Sequence, residues 1–146
     1  MRARVLALCL LAGVVGGVGG CFEPADGGSC HNDSDCSDAV CSNVGECASQ
    51  TYRLRVSWTV RGAQANAPGA CDGVSELELV VSDTASGQEF SVSPVPCAIG
   101  TFLFDKMPPA YGTVAVNAYG PGGIFLTTAG GTADPAQGTI AIDLEP

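Results

Sequence analysis

The chain has 146 residues, room for one modest domain and an appendage but not for two full-sized domains. Its 6 basic and 15 acidic side chains give a net charge of −9, which is unsuited to gripping a phosphate backbone and argues against nucleic-acid binding. Charged residues make up only 14% of the chain beside 20 Gly and 9 Pro, a composition that fits neither a coiled coil nor a charged disordered tail, and a lone His leaves little equipment for hydrolytic chemistry.

The first segment reads as an address. Met1-Arg2-Ala3-Arg4 is a short positive start, Val5 to Val15 is an apolar run broken only by Gly13, and Gly16 to Gly20 are small residues around Val18. The run is too short for a hydrocarbon core that needs roughly 20 residues, and the order matches a secretory signal peptide over residues 1–20. Val18-Gly19-Gly20-Cys21 resembles the bacterial lipobox, an aliphatic residue and two small ones before a Cys. The resemblance implies cleavage before Cys21, acylation of its sulfur and amine, and a membrane held through that lipid. Two acyl chains suffice for stable attachment, each buried methylene contributing about 0.8 kcal/mol. Phe22, where an Asp would favour inner-membrane retention in enteric bacteria, leans toward the outer membrane. Without residues 1–20 the chain keeps 4 basic and 15 acidic side chains, a net of −11, so the lipid must do the holding and the acidic body should point away from the membrane. Residues 21–29, from Cys21 through Phe22-Glu-Pro-Ala-Asp-Gly-Gly-Ser29, form a lipidated tether without periodicity.

With Cys9 in the signal and Cys21 lipidated, six cysteines remain: Cys30, Cys36, Cys41, Cys47, Cys71 and Cys97. An even number in an exported protein reads as three disulfides. Four fall within residues 30–47, so two bridges inside that cluster and one between Cys71 and Cys97 are the economical arrangement. Three pairings stay open within the cluster, of which Cys30–Cys41 with Cys36–Cys47 is preferred. The module's apolar content is essentially Val40 and Val44, so its order must come from the staples, each worth roughly 2–4 kcal/mol. Asp35-Cys36, Val40-Cys41 and Gly45-Glu46-Cys47 resemble the small EGF-like or Dickkopf-type modules of delta-proteobacterial, myxobacterial-type lipoproteins. That resemblance implies a scaffold and no activity.

Other chemistry in the module is weak. Zinc knuckles space their ligands closely, whereas the spacings here are five, four and five residues, and export favours disulfides, so no metal site is assigned. Asp33, Asp35 and Asp38 alternate like calcium ligands, but the Gly and distal Glu of an EF-hand loop are missing; the plainer reading is a solvated acidic loop. Asn32-Asp33-Ser34 is formally a glycosylation sequon. His31 reads as a surface residue, with no nucleophile beside it in sequence.

Residues 51–146 read as all-β. Tyr52, Leu54, Val56, Trp58 and Val60 alternate with Arg53, Arg55, Ser57, Thr59 and Arg61, which predicts a strand with the first set in a core and the Arg set in water. Glu76 to Asp83 repeats the alternation, Thr84-Ala-Ser-Gly87 turns, and Gln88 to Val92 returns as the hairpin partner. Thr101–Lys106, stopped by Pro108-Pro109, is followed by Thr113–Tyr119, Ile124–Thr128 and Thr139–Leu144. About seven turn-punctuated strands predict an antiparallel β-sandwich. A Cys71–Cys97 bridge would contribute roughly 3 kcal/mol to it. Met107-Pro-Pro-Ala-Tyr111-Gly-Thr-Val-Ala-Val-Asn-Ala118 is similar to the Leu-Pro-Pro-Gly-x-Tyr-x-Val-x-Val strand of prealbumin-like and carboxypeptidase-regulatory-like sandwiches, although Ala110 replaces the Gly and Tyr111 comes one place early. Trp58, Cys71 and Pro96-Cys97 resemble a recurrent delta-proteobacterial lipoprotein domain. These resemblances imply an immunoglobulin-like or prealbumin-like sandwich outside the cytoplasm and carry no catalytic residues.

Glu76 and Glu78 share a strand face about 6–7 Å apart, a separation at which carboxylate pairs do glycosidic chemistry. The plainer expectation is that they pair with Arg53 and Arg55 across strands. Tyr111 and Tyr119, beside Pro- and Gly-rich loops, are the candidate ligand edge, and Trp58 reads as core. The glycines follow no strand-to-helix pattern and no Lys follows them, so no phosphate loop or other cofactor is implied. The expectation is a non-enzymatic, lipid-anchored envelope protein with an adhesive, structural or protein-binding role. A carbohydrate- or small-ligand-binding sandwich is the alternative, and an enzyme using Glu76 and Glu78 is the least favoured reading.

Overall fold

A computed structural model describes residues 29–146. The expected signal peptide, the lipidation site Cys21 and nearly all of the tether lie outside the described residues. No helix among the described residues is long and apolar enough to cross a membrane.

The cysteine-rich segment forms one 3₁₀ turn, Asp33–Asp35, and a two-stranded antiparallel ribbon of β1 (Val40–Cys41) and β2 (Cys47–Ala48). Asn32 caps the turn by accepting the Ser34 N–H, and the Asp35 carboxylate accepts the Asn32 N–H in return, a reciprocal capping box. Cys30–Cys41 and Cys36–Cys47 cross-link the segment with Cα separations of 5.7 and 5.6 Å. Cys30, Cys36 and Cys41 form its miniature core, since no large apolar side chain is present to do so.

The rest is a two-layer β structure. In the first sheet β3 (Tyr52–Val60) is central. The short β4 (Ala63–Gln64) folds back on its end. The second sheet takes β5 (Glu76–Asp83) and β6 (Glu89–Val95) as a hairpin. The chain then returns to pair β7 (Thr101–Met107) with β3. It crosses again to add β8 (Tyr111–Gly120) beside β5 and β9 (Ile124–Thr132) beside β8, so the second sheet runs β6-β5-β8-β9. Finally β10 (Thr139–Leu144) pairs with the remaining edge of β3.

The alternation expected of β3 is realised. Leu54, Val56, Trp58 and Val60 are buried, and Arg53, Arg55 and Arg61 are exposed. Leu77, Leu79 and Val81 of β5 and Val114, Val116 and Ala118 of β8 face them from the second sheet, with Phe104, Met107 and Leu144 completing the core. The seven expected strands all form, several of them longer than predicted. One pairing departs from the antiparallel expectation: β10 runs parallel to β3, Thr139 opposite Arg55 and Leu144 opposite Val60. The whole second sheet supplies the crossover that a parallel pair requires, a long-range feature without a local signature.

The Trp58 indole N–H is buried and donates to the Cys97 carbonyl at 2.8 Å. Cys97 is in turn bridged to Cys71, Cα to Cα 6.0 Å. The turn before β10 is tight as well. Gly138 has φ of +64°, and a Cβ there would collide with the Arg53 carbonyl oxygen; Gly62 has φ of +73° in open space. Gly62→Ala should therefore cost about 1–2 kcal/mol, the left-handed backbone penalty alone. Gly138→Ala should cost distinctly more, because the β10–β3 pairing must shift as well. Urea denaturation of both variants checks this, and equal losses would contradict the close approach.

Candidate functional site

The carboxylates expected to pair with Arg53 and Arg55 do not do so. Glu76 and Glu78 lie on β5 in the second sheet, and the two arginines lie on β3 in the first. Alternation fixes which residues share a face, but not which sheet a strand joins. The neighbours of the two carboxylates instead come from β8, where Glu76 is opposite Tyr119 and Glu78 opposite Asn117. Glu78 Oε2 accepts from Asn117 Nδ2 and from the Tyr119 hydroxyl, each at 3.0 Å. The Tyr119 ring meets Phe125 of β9 edge to face, with centroids 5.9 Å apart and an interplanar angle of 71°.

This gathers Glu76, Glu78, Asn117, Tyr119 and Phe125 on the outer face of the second sheet, at the end nearest the Gly120–Gly123 turn. Phe125 is 55% exposed, and Glu78, Asn117 and Tyr119 are half-buried. The arrangement joins an aromatic pair to a carboxylate and an amide. Such a surface can stack on an apolar ring face while exchanging hydrogen bonds with hydroxyl groups. Glu78 is already committed to two donors, which suits it to orienting neighbours.

The other half of the expected ligand edge lies elsewhere. Tyr111 begins β8 while Tyr119 is near its end, eight residues on, so the strand separates them by about 27 Å at 3.4 Å per residue. Tyr111 is buried, and its carbonyl accepts the Tyr52 hydroxyl at 2.6 Å. Tyr111 borders a shallow groove with Val44, Glu46, Gln88, Glu89 and Phe90, where the cysteine-rich segment meets the sandwich. Burial first, then the charges of Glu46 and Asp83, raise its pKa. The two tyrosines therefore do not form one edge. Trp58 is core.

Two acidic residues of the cysteine-rich segment, Asp33 and Asp35, are engaged internally. Both Asp33 carboxylate oxygens accept from Lys106 Nζ at 2.9 Å, and one also takes the Cys41 N–H. The Lys106 hydrogen bond, followed by that of Cys41, holds the Asp33 pKa below the ordinary carboxylate value. Asp35 is lowered likewise, by the backbone N–H groups of His31 and then Asn32. Asp33, Asp35 and Asp38 gather into no common cluster among the described residues. The sulfurs of Cys30, Cys36 and Cys47 do lie close together, but each is closed in a disulfide. Of the residues that suggested calcium or zinc, Asp33 is in the ion pair, Asp35 is in the cap, and the cysteines are in disulfides.

Compared with protein-family models, with curated proteins and with solved structures, the chain matches none of them.

Sequence reasoning found Glu76, Glu78 and Tyr119 separately. It did not find Asn117 and Phe125. Asn117 had only outward parity on a strand whose neighbours were unknown, and Phe125 reaches the same face through the register shift between Ala118 and Tyr119, which alternation does not show. The hydrogen bond to Glu78, reinforced by burial and by the charges of Glu78 and Glu76, raises the Tyr119 pKa and keeps the phenol protonated. A raised tyrosine pKa contributes stability below the unfolded-state value, and that contribution is lost as pH rises through the folded-state value. Glu78→Gln should therefore move the Tyr119 midpoint down toward the ordinary tyrosine value, followed by NMR titration of the ring. An unchanged midpoint would show that Glu78 does not hold the phenol.

Proposed function

We propose that this protein is a non-enzymatic binding module of the cell envelope, exported by residues 1–20 and anchored through lipid on Cys21. The observation that carries the reading is the complete pairing of Cys30, Cys36, Cys41, Cys47, Cys71 and Cys97 into three disulfides. Such pairing suits an oxidising compartment and accounts for every cysteine of the described residues, which supports reading Cys21 separately as the lipidation site. A delta-proteobacterial, myxobacterial-type lipoprotein with an immunoglobulin-like or prealbumin-like sandwich is the family picture that fits these features. Outer-membrane placement, periplasmic or surface-exposed, is the corresponding location. On this reading the role is adhesion, structural support or protein binding.

Fatty-acid labelling tests the anchor. The wild-type protein should incorporate label and Cys21→Ala should lose it; equal labelling of the two removes the anchor from the reading.

The Tyr119 site favours a second, more specific reading, that the ligand is a carbohydrate or other polyhydroxylated molecule. An aromatic pair beside Glu78 and Asn117 offers stacking and hydrogen bonds on one open face. On a glycan array the protein should retain a set of ligands that Tyr119→Ala releases and Tyr111→Phe keeps. Equal binding by wild type and Tyr119→Ala would exclude this face as the site.

A further inference from the structure

The edges of the two sheets are treated differently. β6 carries Glu89 and Pro94, both of which discourage strand addition. β10 carries Asp143, whose carboxylate accepts from Thr59 and from the Gly62 N–H. The edge of β7 is covered at Lys106 by the cysteine-rich segment: the Asn43 N–H donates to the Lys106 carbonyl at 2.9 Å, and the Lys106 N–H donates to Asn43 Oδ1 at 2.7 Å. β9 has none of these protections. Its sequence, Ile124-Phe-Leu-Thr-Thr-Ala-Gly-Gly-Thr132, holds no charge and no proline, and among the described residues its pairing is with β8 alone.

β9 also bears three of the five large exposed apolar side chains of the described residues, the others being Ile99 and Leu103. Ile124 is 66%, Phe125 55% and Leu126 39% exposed. Three such neighbours at the open end of a sheet mark an interaction surface. No charged residue or histidine occurs between Lys106 and Asp134, so the β8–β9 hairpin is a neutral island in a chain of net charge −9. Two copies repel one another over most of their surfaces; across this hairpin that repulsion is weakest.

The bulk along β9 is uneven. Ile124, Phe125 and Leu126 fill its first third, and Ala129, Gly130 and Gly131 follow in its second half. Parallel pairing of two such strands would set bulk against bulk. Antiparallel pairing about a two-fold axis at Thr128, which faces its own copy, sets each bulky end against the other's small end. Such an interface is self-complementary and closed, and so stops at the dimer.

We propose that the free edge of β9 is a self-association surface, on which a second copy of this chain adds its own β9 in antiparallel register. The second sheet then continues through the axis as β6-β5-β8-β9 followed by the same four strands of the partner copy. The backbone groups on the outer edge of β9 gain partners, and the exposed triad is covered. The site around Tyr119 and its counterpart then lie on one face of the continuous sheet, at opposite ends of the interface, which gives the dimer two copies of the binding face.

Cysteine cross-linking in the full chain tests this. Strands paired in this way place opposed Cα atoms about 4.5–5.5 Å apart, within disulfide reach. Thr128→Cys near the axis should give a covalent dimer on a non-reducing gel. Ala85→Cys, in the exposed turn after β5, should not. Adding Ile124→Lys and Leu126→Lys to Thr128→Cys should abolish the dimer band. Equal cross-linking at positions 128 and 85, absence of a band at 128, or a band that survives the two lysines would each overturn the proposal. Should the lysine variant fail to fold, the contrast between positions 128 and 85 decides alone.

Discussion

The buried hydrogen bond from the Trp58 indole to the Cys97 carbonyl is the contact on which the rest of the architecture turns. An indole N–H taken out of water must find an acceptor, and Cys97 is held in place by its covalent link to Cys71. The bond therefore fixes the middle of β3 against the turn that enters β7 and against the loop that precedes β5. With β3 fixed, its buried face of Leu54, Val56 and Val60 sets the plane of the first sheet. The second sheet closes over it through Leu77, Leu79, Val114 and Val116.

The cysteine-rich segment contributes through its polar groups rather than its apolar content. Asn43 continues the hydrogen bonding of β7, and Lys106 reaches across to Asp33. Val44 packs against the main core. In effect a disulfide-held knob covers one sheet edge at Lys106, and Asp33 of its acidic loop joins that contact. The Asp33–Lys106 pair is exposed and contributes little energy by itself; its value lies in orienting the knob. The groove beside Tyr111 forms at this junction.

The proposed binding roles rest on surface features of the second sheet. The second sheet presents two adjoining features, an aromatic and carboxylate face at Tyr119 and an uncharged edge at β9. Both lie at the same end of the β8–β9 hairpin, and Phe125 belongs to each. A ligand on the face and a copy on the edge would therefore influence one another through that ring.

From the residues alone came the all-β class, the positions of seven strands, the inward set of β3 and the disulfide pairing preferred for the cysteines. Alternation with period two is imposed by the strand itself, and closely spaced cysteines restrict their own partners, so these features are local and readable. The tertiary structure decided what depends on neighbours. It put Glu76 and Glu78 beside Asn117 and Tyr119 rather than beside Arg53 and Arg55, and it separated Tyr111 from Tyr119. It also made β10 parallel to β3 and left β9 as a bare edge. Those outcomes follow from the order of strands across two sheets, and that order is set by long-range packing that no short stretch of sequence encodes.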